Sequence, residues 1–315
     1  MEKIELSILI PVFNEEESIN ELFQKLEAVL GRLNKTYEII FIDDGSTDKT
    51  LDVIKGIGLG SGRIRAVSFR RNFGKSAALM AGFEHAQGDL IITMDGDLQD
   101  DSEEIPRFLE KLGQNYDLVV GWKARRQDPI GKRTVSRIFN MLTAMLTGVK
   151  IHDFNCCFKI FTKELVQNLK IHGELHRYIP ALAHWQGYRV SEIEVKHNAR
   201  KYGKSKYGFS RLFKGFLDLI TVKFIMSYLT RPIHFFGQAG LILLFLGGAL
   251  GIISLILKFL FNMPLSSSQL PLLTVFMIIV GIQFILMGLL AEILVRIYYE
   301  PGRKSFYSVR EKINF

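Results

Sequence analysis

Cysteine is nearly absent: the 315-residue chain has two, the neighbours Cys156 and Cys157. Adjacent cysteines cannot easily close an unstrained disulfide or supply metal-ligand spacing, so neither a disulfide framework nor a zinc module is expected. They read as free thiols used for packing in a reducing compartment. The seven histidines are scattered without metal spacing, and no G-x-S-x-G elbow or Cys-His pairing offers a nucleophile. Familiar phosphate loops are missing as well. "RRNFGKSAALMAGF" (70–83) contains GKS, but a P-loop needs glycine five residues before Gly74, and position 69 is Phe. "GIGLGSG" (56–62) misses the G-x-G-x-x-G spacing and precedes a strand-like run instead of following one. Hydrolase, nucleoside-triphosphatase and dehydrogenase chemistry lose their usual signatures. There are no internal repeats. The first apolar run is too short, and too soon followed by acids, to be a signal peptide, so the body of the protein is expected to stay unexported.

What is present divides into two halves. Up to about residue 125, the runs "LSILIPV", "YEIIFIDD", "IRAVSF", "DLIITMD" and "YDLVVGW" alternate with helical candidates near 15–31, 47–57, 74–87 and 102–113. Continuous apolar runs suit strands covered on both faces, and their alternation with helices predicts an α/β domain with a mostly parallel sheet. Ligands of such sheets sit beyond the carboxyl ends of the strands. Asn14 and Glu15, Asp43 and Asp44, Arg70 to Lys75, and Asp95 to Gln99 all fall there.

Beyond residue 232 the chain turns apolar. Residues 233–261 and 270–295 each exceed the roughly 20 residues that span a bilayer, and the uncharged "NMPLSSSQ" joins them. Arg211, Lys214, Lys223 and Arg231 precede the pair, and Arg296, Arg303, Lys304, Arg310 and Lys312 follow it. The positive-inside rule then predicts a multi-pass membrane protein with both termini and the α/β domain cytoplasmic. Glu292 and Lys258 lie near span ends, within snorkelling reach of the interface. Between the halves, Phe209, Leu212, Phe213, Phe216, Leu217 and Ile220 recur at helical spacing among cations, as expected of juxtamembrane helices in the headgroup region. The predicted organisation is a catalytic-type domain over 1–205, interface helices over 206–232, spans over 233–261 and 270–295 around a non-cytoplasmic loop at 262–269, and a basic tail over 296–315. A net charge of +8 directs the protein towards anionic partners.

Against that basic background stands "LIITMDGDLQDD" (90–101), with Asp95, Asp97, Asp100 and Asp101 after an apolar run. An EF-hand loop counted from Asp95 would need Gly and Glu where Asp100 and Pro106 stand. Asp100 and Asp101 suit the start of the next helix. Asp95 and Asp97 are different: two carboxylates flanking a glycine repel one another unless a cation lies between them. A divalent metal with hard oxygen ligands, including Gln99, is the economical explanation.

"SILIPVFNEEESI", "IIFIDDGSTDKT", "RRNFGKSAALMAGF" and "MDGDLQD", in that order, resemble the nucleotide-binding half of family-2 glycosyltransferases with a GT-A fold. "DFNCCFKIF" (153–161), "ELHRYIPALAHWQGYRVSEIEV" (174–195) and "ARKYGKSKYGFSRL" (199–212) resemble its polyprenyl-phosphate branch, which includes dolichol-phosphate mannose synthases, bactoprenol glucosyltransferases and aminoarabinose transferases. The resemblance covers nearly the whole chain. It implies inverting transfer of a sugar from a nucleotide-diphosphate sugar, of UDP-glucose or GDP-mannose type, to undecaprenyl or dolichyl phosphate for cell-envelope or lipopolysaccharide glycans.

By the same resemblance, Pro11, Asn14, Glu15, Asp44 and Asp95 would hold the nucleotide. Asp95, Asp97 and Gln99 would hold Mg²⁺ or Mn²⁺, with Asp95 alternatively on ribose or sugar. A phosphate monoester acceptor is already anionic, with a second pKa of about 6, so it needs cations and no general base. Lys123, Arg125, Arg126, Arg133, Arg137, Arg200, Lys204 and Lys206 are the candidates, with Asp97, Arg133 and Arg200 carrying catalysis. Relatives commonly have Arg where this chain has Lys123, which cannot make the same bidentate contact. His176, Arg177 and Tyr178 would cover the sugar; Asp153 would touch sugar hydroxyls or cap a turn. A homo-oligomer is compatible with this reading, and nucleic acid is not expected. A processive polysaccharide synthase would want a Q-x-x-R-W-type segment, a general-base carboxylate and more spans. A non-catalytic membrane scaffold would have no use for the acids and arginines.

Overall fold

The computed structural model describes residues 3–59, 62–124, 130–171, 173–199, 201–202, 219, 221–224, 232–299 and 307–315, the side chains of 130–138, 267 and 295–299 excepted. The chain forms two units, Met1–Val222 with Ser305–Phe315, and Lys223–Lys304.

The first unit is built on one eight-stranded sheet in the order β7-β5-β6-β4-β1-β2-β3-β8. Its strands are β1 (Leu6–Val12), β2 (Tyr37–Asp43), β3 (Ile64–Phe69), β4 (Leu90–Thr93), β5 (Leu118–Trp122), β6 (Lys159–Thr162), β7 (Val190–Glu194) and β8 (Val309–Ile313). β1 pairs in parallel with both β2 and β4, β2 with β3, and β5 with β7. Only β6 and β8 run against the rest, β6 between β4 and β5, and β8 along β3.

Strands β1 and β2 are covered on both faces, with Ile8, Leu9, Ile10, Ile39, Ile40, Phe41 and Ile42 fully buried, as their unbroken apolar runs require. Helix α1 (Ile19–Leu30) buries Ile19, Leu22, Leu26, Val29 and Leu30, one stripe at helical spacing. Helix α2 (Thr50–Gly58) follows β2. Helix α3 (Lys75–His85) instead buries the small residues Ala77, Ala78, Ala81 and Gly82, which let it lie close on β1 and β2. Helix α4 (Ile105–Gly113) contributes Phe108, whose ring centre lies 4.4 Å from that of Phe158. Helices α5 (Ile130–Thr147), α6 (Lys163–Asn168) and α7 (Ile179–Trp185) complete the unit.

Because β2 and β3 lie on one side of β1 and β4 on the other, the connections part at the carboxyl ends of β1 and β4. That divergence is the switch point at which open α/β sheets bind ligands. The far edge has a different origin. Residues 309–313, expected only as part of a basic tail, form β8 on β3. Its anchors include a 2.7 Å Lys55–Glu311 ion pair. Asn314 Nδ2 donates to Gly58 O and Ile64 O at 3.2 and 2.9 Å. The Arg65 guanidinium lies 4.0 Å from the centre of the Phe315 ring.

The second unit holds two long apolar helices, Pro232–Phe261 and Leu270–Tyr299. Both are long and apolar enough to cross a membrane. Their large side chains point outward, with Phe245 77% and Leu272 75% exposed, the reverse of a soluble core helix. The helices approach through glycine: a Cβ on Gly240 would lie 2.6 Å from Gly281 O, and one on Gly281 2.9 Å from Gly240 O. Small residues at a helix crossing are the usual means of close packing in lipid.

Candidate functional site

At the switch point two short turns face the carboxyl ends of β1 and β4. Asn14, after β1, has φ of 56°, and Leu98, after β4, has φ of 63°. Asparagine tolerates this left-handed region; a buried leucine does so at a cost, which marks the D-G-D-L-Q turn as strained. Asn14 Oδ1 accepts from Thr47 N–H at 2.9 Å, and its own N–H donates to Ser46 Oγ at 2.9 Å. Glu15 N–H donates to Thr50 Oγ1 at 2.9 Å, and Glu15 Oε2 accepts from Ser18 Oγ at 3.2 Å. These contacts fasten the ends of β1 and β2 together beside Pro11, the penultimate residue of β1.

Asp44, expected on the nucleotide, spends its carboxylate on the loop before α3. Oδ1 accepts from Phe73 N–H at 2.7 Å and Oδ2 from Gly74 N–H at 3.0 Å. Burial pushes its pKa up to about 6, against the opposing effect of those two N–H groups.

The four acids of residues 95–101 part company. Asp95 Oδ1 lies 2.5 Å from Lys75 Nζ, with about a third of each side chain exposed. Burial would raise the Asp95 carboxyl, but the charges of Lys75 and Lys123 outweigh it and hold it well below the usual carboxylate range. Asp97 is buried, 6% exposed, and its Oδ1 accepts from Gln99 N–H at 3.1 Å. Asp101 caps the turn at Ser102–Glu104 by accepting from Glu103 N–H, as the sequence suggests. Asp100 does not serve that helix. Its Oδ2 accepts from Asp95 N–H at 3.2 Å, and its Oδ1 lies 2.8 Å from Lys123 Nζ. Lys123, expected among the acceptor-phosphate cations, is therefore buried in an ion pair, 10% exposed against 0% for Asp100. A charge taken out of water needs a fixed partner, and Asp100 is that partner.

A second set of buried groups lies under this edge. Lys159 is 3% exposed, and its ammonium donates to the carbonyl of Cys156. Burial pushes its pKa down and pushes the Cys156 and Cys157 thiols up to about 12, which keeps the thiols protonated. Asp153 is 2% exposed, and its Oδ1 accepts from Asn155 N–H at 3.2 Å, a turn cap. His176 lies on the 3-10 turn Leu175–Tyr178, which also carries Arg177 and the fully buried Tyr178. Arg177 is paired with Glu174 at 2.8 Å.

The structure thus brings Pro11, Asn14, Glu15, Asp44, Asp95, Asp97 and Gln99 to one edge. Arg125, Arg126, Arg200, Lys204 and Lys206 lie outside the described residues, as does most of the expected interface segment 206–232; Arg133 and Arg137 fall on α5 with their side chains outside them. The sequence places Lys75 at a strand end without indicating its partner, and it does not single out Ser76.

The donor set at 95–99 has the chemistry of a magnesium or manganese site: two carboxylates and an amide oxygen, all hard ligands. Gly96 suits it, since a Cβ there would lie 2.8 Å from Val12 Cγ1. Among the described residues no group of three or more His, Cys, Asp or Glu is placed to close round a metal. Such an ion would take further ligands from substrate phosphates, as Mg²⁺ commonly does.

The family model described as Glycosyl transferase family 2 matches residues 7–170. The chain is 39% identical over 323 residues to the dodecaprenyl-phosphate galacturonate synthase of Rhizobium johnstonii, covering 99% of this chain and 94% of the relative. It is 34% identical over 310 residues to the undecaprenyl-phosphate 4-deoxy-4-formamido-L-arabinose transferase of Klebsiella pneumoniae subsp. pneumoniae, covering 98% and 93%. Among solved structures, glucosyl-3-phosphoglycerate synthase of Mycobacterium tuberculosis with Mn²⁺, UDP and glucosyl-3-phosphoglycerate aligns with TM-score 0.55 at 18% identity, covering 71% of this chain and 80% of that one. At that identity the likeness is one of fold, and the fold is GT-A.

Proposed function

The chain belongs to glycosyl transferase family 2, in its polyprenyl-phosphate branch, and from that premise we propose that it moves a sugar from a nucleotide diphosphate to undecaprenyl or a similar polyprenyl phosphate, with inversion, at the cytoplasmic membrane face. The observation that carries the reading is the D-G-D turn of residues 95–97 at the divergence of β1 and β4.

Asn14, Glu15 and Pro11 would meet the base and ribose. Asp97, joined by Gln99 and by Asp95 where Lys75 yields it, would hold Mg²⁺ or Mn²⁺. That ion, when bound, supplies positive charge against the departing diphosphate. Lys75 adds a fixed cation beside the same edge. The acceptor phosphate is already an anion, so the protein's task is to collect and orient it. Arg125, Arg133, Arg137, Arg200 and Lys204 are the residues proposed for that task, with Arg133 and Arg200 proposed to act in catalysis as well. Lys123 is withdrawn from that set, since its charge is met by Asp100.

Connectivity and charge support that membrane orientation. β8 shares a sheet with β1 to β7, so the chain must cross the bilayer an even number of times between β7 and β8. Two spans satisfy that, and Lys223, Arg231, Arg296, Arg303 and Lys304 beside them favour the cytoplasm.

The test uses the full-length enzyme with undecaprenyl phosphate and Mg²⁺ or Mn²⁺. UDP-glucose, GDP-mannose and the nucleotide conjugates of galacturonate and 4-deoxy-4-formamido-arabinose are offered separately, and lipid product is read by mass. One donor should give a lipid-phosphate sugar, and Asp97→Asn should abolish it. Failure of every donor would sink the reading; full activity of Asp97→Asn would remove the metal from it.

A further inference from the structure

Ser76 and His176 stand 100 residues apart in sequence and meet twice: His176 N–H donates to Ser76 Oγ at 3.2 Å, and Oγ lies 3.0 Å from His176 Nδ1. A hydroxyl has one hydrogen to give. Since Oγ already accepts the backbone N–H, and has no other hydrogen-bond partner among the described residues, its hydrogen goes to the ring. Nδ1 is then the acceptor, and the imidazole proton sits on Nε2. Ser76 is 1% exposed, so water does not compete for the contact. Nε2 has no protein partner among the described residues and is the nitrogen left for a ligand.

A protonated ring is the alternative, and its surroundings oppose it. Burial, then the charges of Lys75, Arg177 and Lys159, push the imidazole well below its ordinary pKa, with Asp95 pulling the other way. The ring is held neutral, in one tautomer and one orientation, beside the Lys75–Asp95 pair.

We infer that Ser76 and His176 form a fixed, uncharged hydrogen-bond donor for the transferred sugar, in which Ser76 is the positioning residue and His176 Nε2–H meets a sugar oxygen. The inference rests on the proposed glycosyl transfer. Phosphate oxygens at this edge already have the ammonium of Lys75. A donor that stays uncharged adds little there, but it suits a neutral hydroxyl or ring oxygen, whose hydrogen bond is worth most where a mismatched partner would be left unpaired.

Two measurements test it on the full-length enzyme. Nitrogen-15 spectra of histidine-labelled protein, with His176 assigned through His176→Gln, should show the Nε2–H tautomer without titration between about pH 6 and 8. A ring protonated at pH 7, or one carrying its proton on Nδ1, would overturn the inference whether or not any donor is active. Kinetics then use whichever of the four donors above gives product. Ser76→Ala should lower kcat/KM about tenfold while inhibition by the active donor's own nucleoside diphosphate is unchanged. His176→Gln, which keeps an N–H donor, should retain several-fold more activity than His176→Ala. Unchanged kinetics in Ser76→Ala, or equal weakening of the nucleoside diphosphate and of the sugar nucleotide, would show a structural role only. If no donor is active, the proposed function fails, and the tautomer result still stands or falls separately.

Discussion

Lys75 Nζ lies 2.5 Å from Asp95 Oδ1 at the solvent-facing edge of the sheet, and the pair is only partly withdrawn from water, at 32% and 30% exposure. Ion pairs this exposed contribute little to folding. Lys75→Met is therefore expected to change stability by about 1 kcal/mol or less. Its effect falls on transfer, because a preorganised cation beside a leaving diphosphate is lost; about tenfold to a hundredfold lower kcat is expected. Thermal unfolding and product formation, measured side by side, check both halves.

The neighbouring pair behaves oppositely. Lys123 and Asp100 are 10% and 0% exposed at 2.8 Å, so removing one partner strands a charge in the interior. Lys123→Ala should destabilise the first unit by about 3–5 kcal/mol. Lys123→Met combined with Asp100→Leu should recover part of that loss, since a well-packed apolar pair carries no desolvation cost. Denaturant unfolding of wild type, Lys123→Met, Asp100→Leu and the double variant measures the coupling.

Asp44 gives a pH dependence with a definite sign. Its folded value of about 6 lies above the ordinary 3.8, so between those values the folded state holds a proton that the unfolded state has released. The contribution of this group to stability is complete below about pH 4 and is lost as pH rises through 6. Wild type should gain stability relative to Asp44→Asn between pH 7 and pH 4.5. A relative loss over that window would mean that the N–H groups of Phe73 and Gly74 outweigh burial.

Gly240 and Gly281 set the spacing of the apolar helices, each leaving less than 3 Å for a Cβ before the other's carbonyl. Gly240→Leu should force the pair apart. Crosslinking between cysteines placed on the two facing helices should fall several-fold, while the second unit remains helical by circular dichroism.

Much of the first unit is legible in the sequence because its chemistry is local. β1 to β5 are continuous apolar runs, and the D-G-D turn carries its meaning in three adjacent residues. What is not legible depends on distant partners. Nothing near Lys123 in sequence predicts that Asp100 neutralises it, and nothing near Asp95 predicts Lys75. β8 is the clearest case. "VREKI" alternates charge and apolar residues and reads as a basic tail, and only pairing with β3 makes it a strand. The tautomer of His176 likewise depends on a serine 100 residues away in sequence.

The position of β8 also orders the protein's assembly in time. The strand that seals the free edge of β3 follows both apolar helices in the chain and so leaves the ribosome after them. Until that strand has been made and has paired, β3 keeps an unpaired edge, a template for pairing with other chains. Completion of the sheet therefore waits on a segment made after the apolar pair.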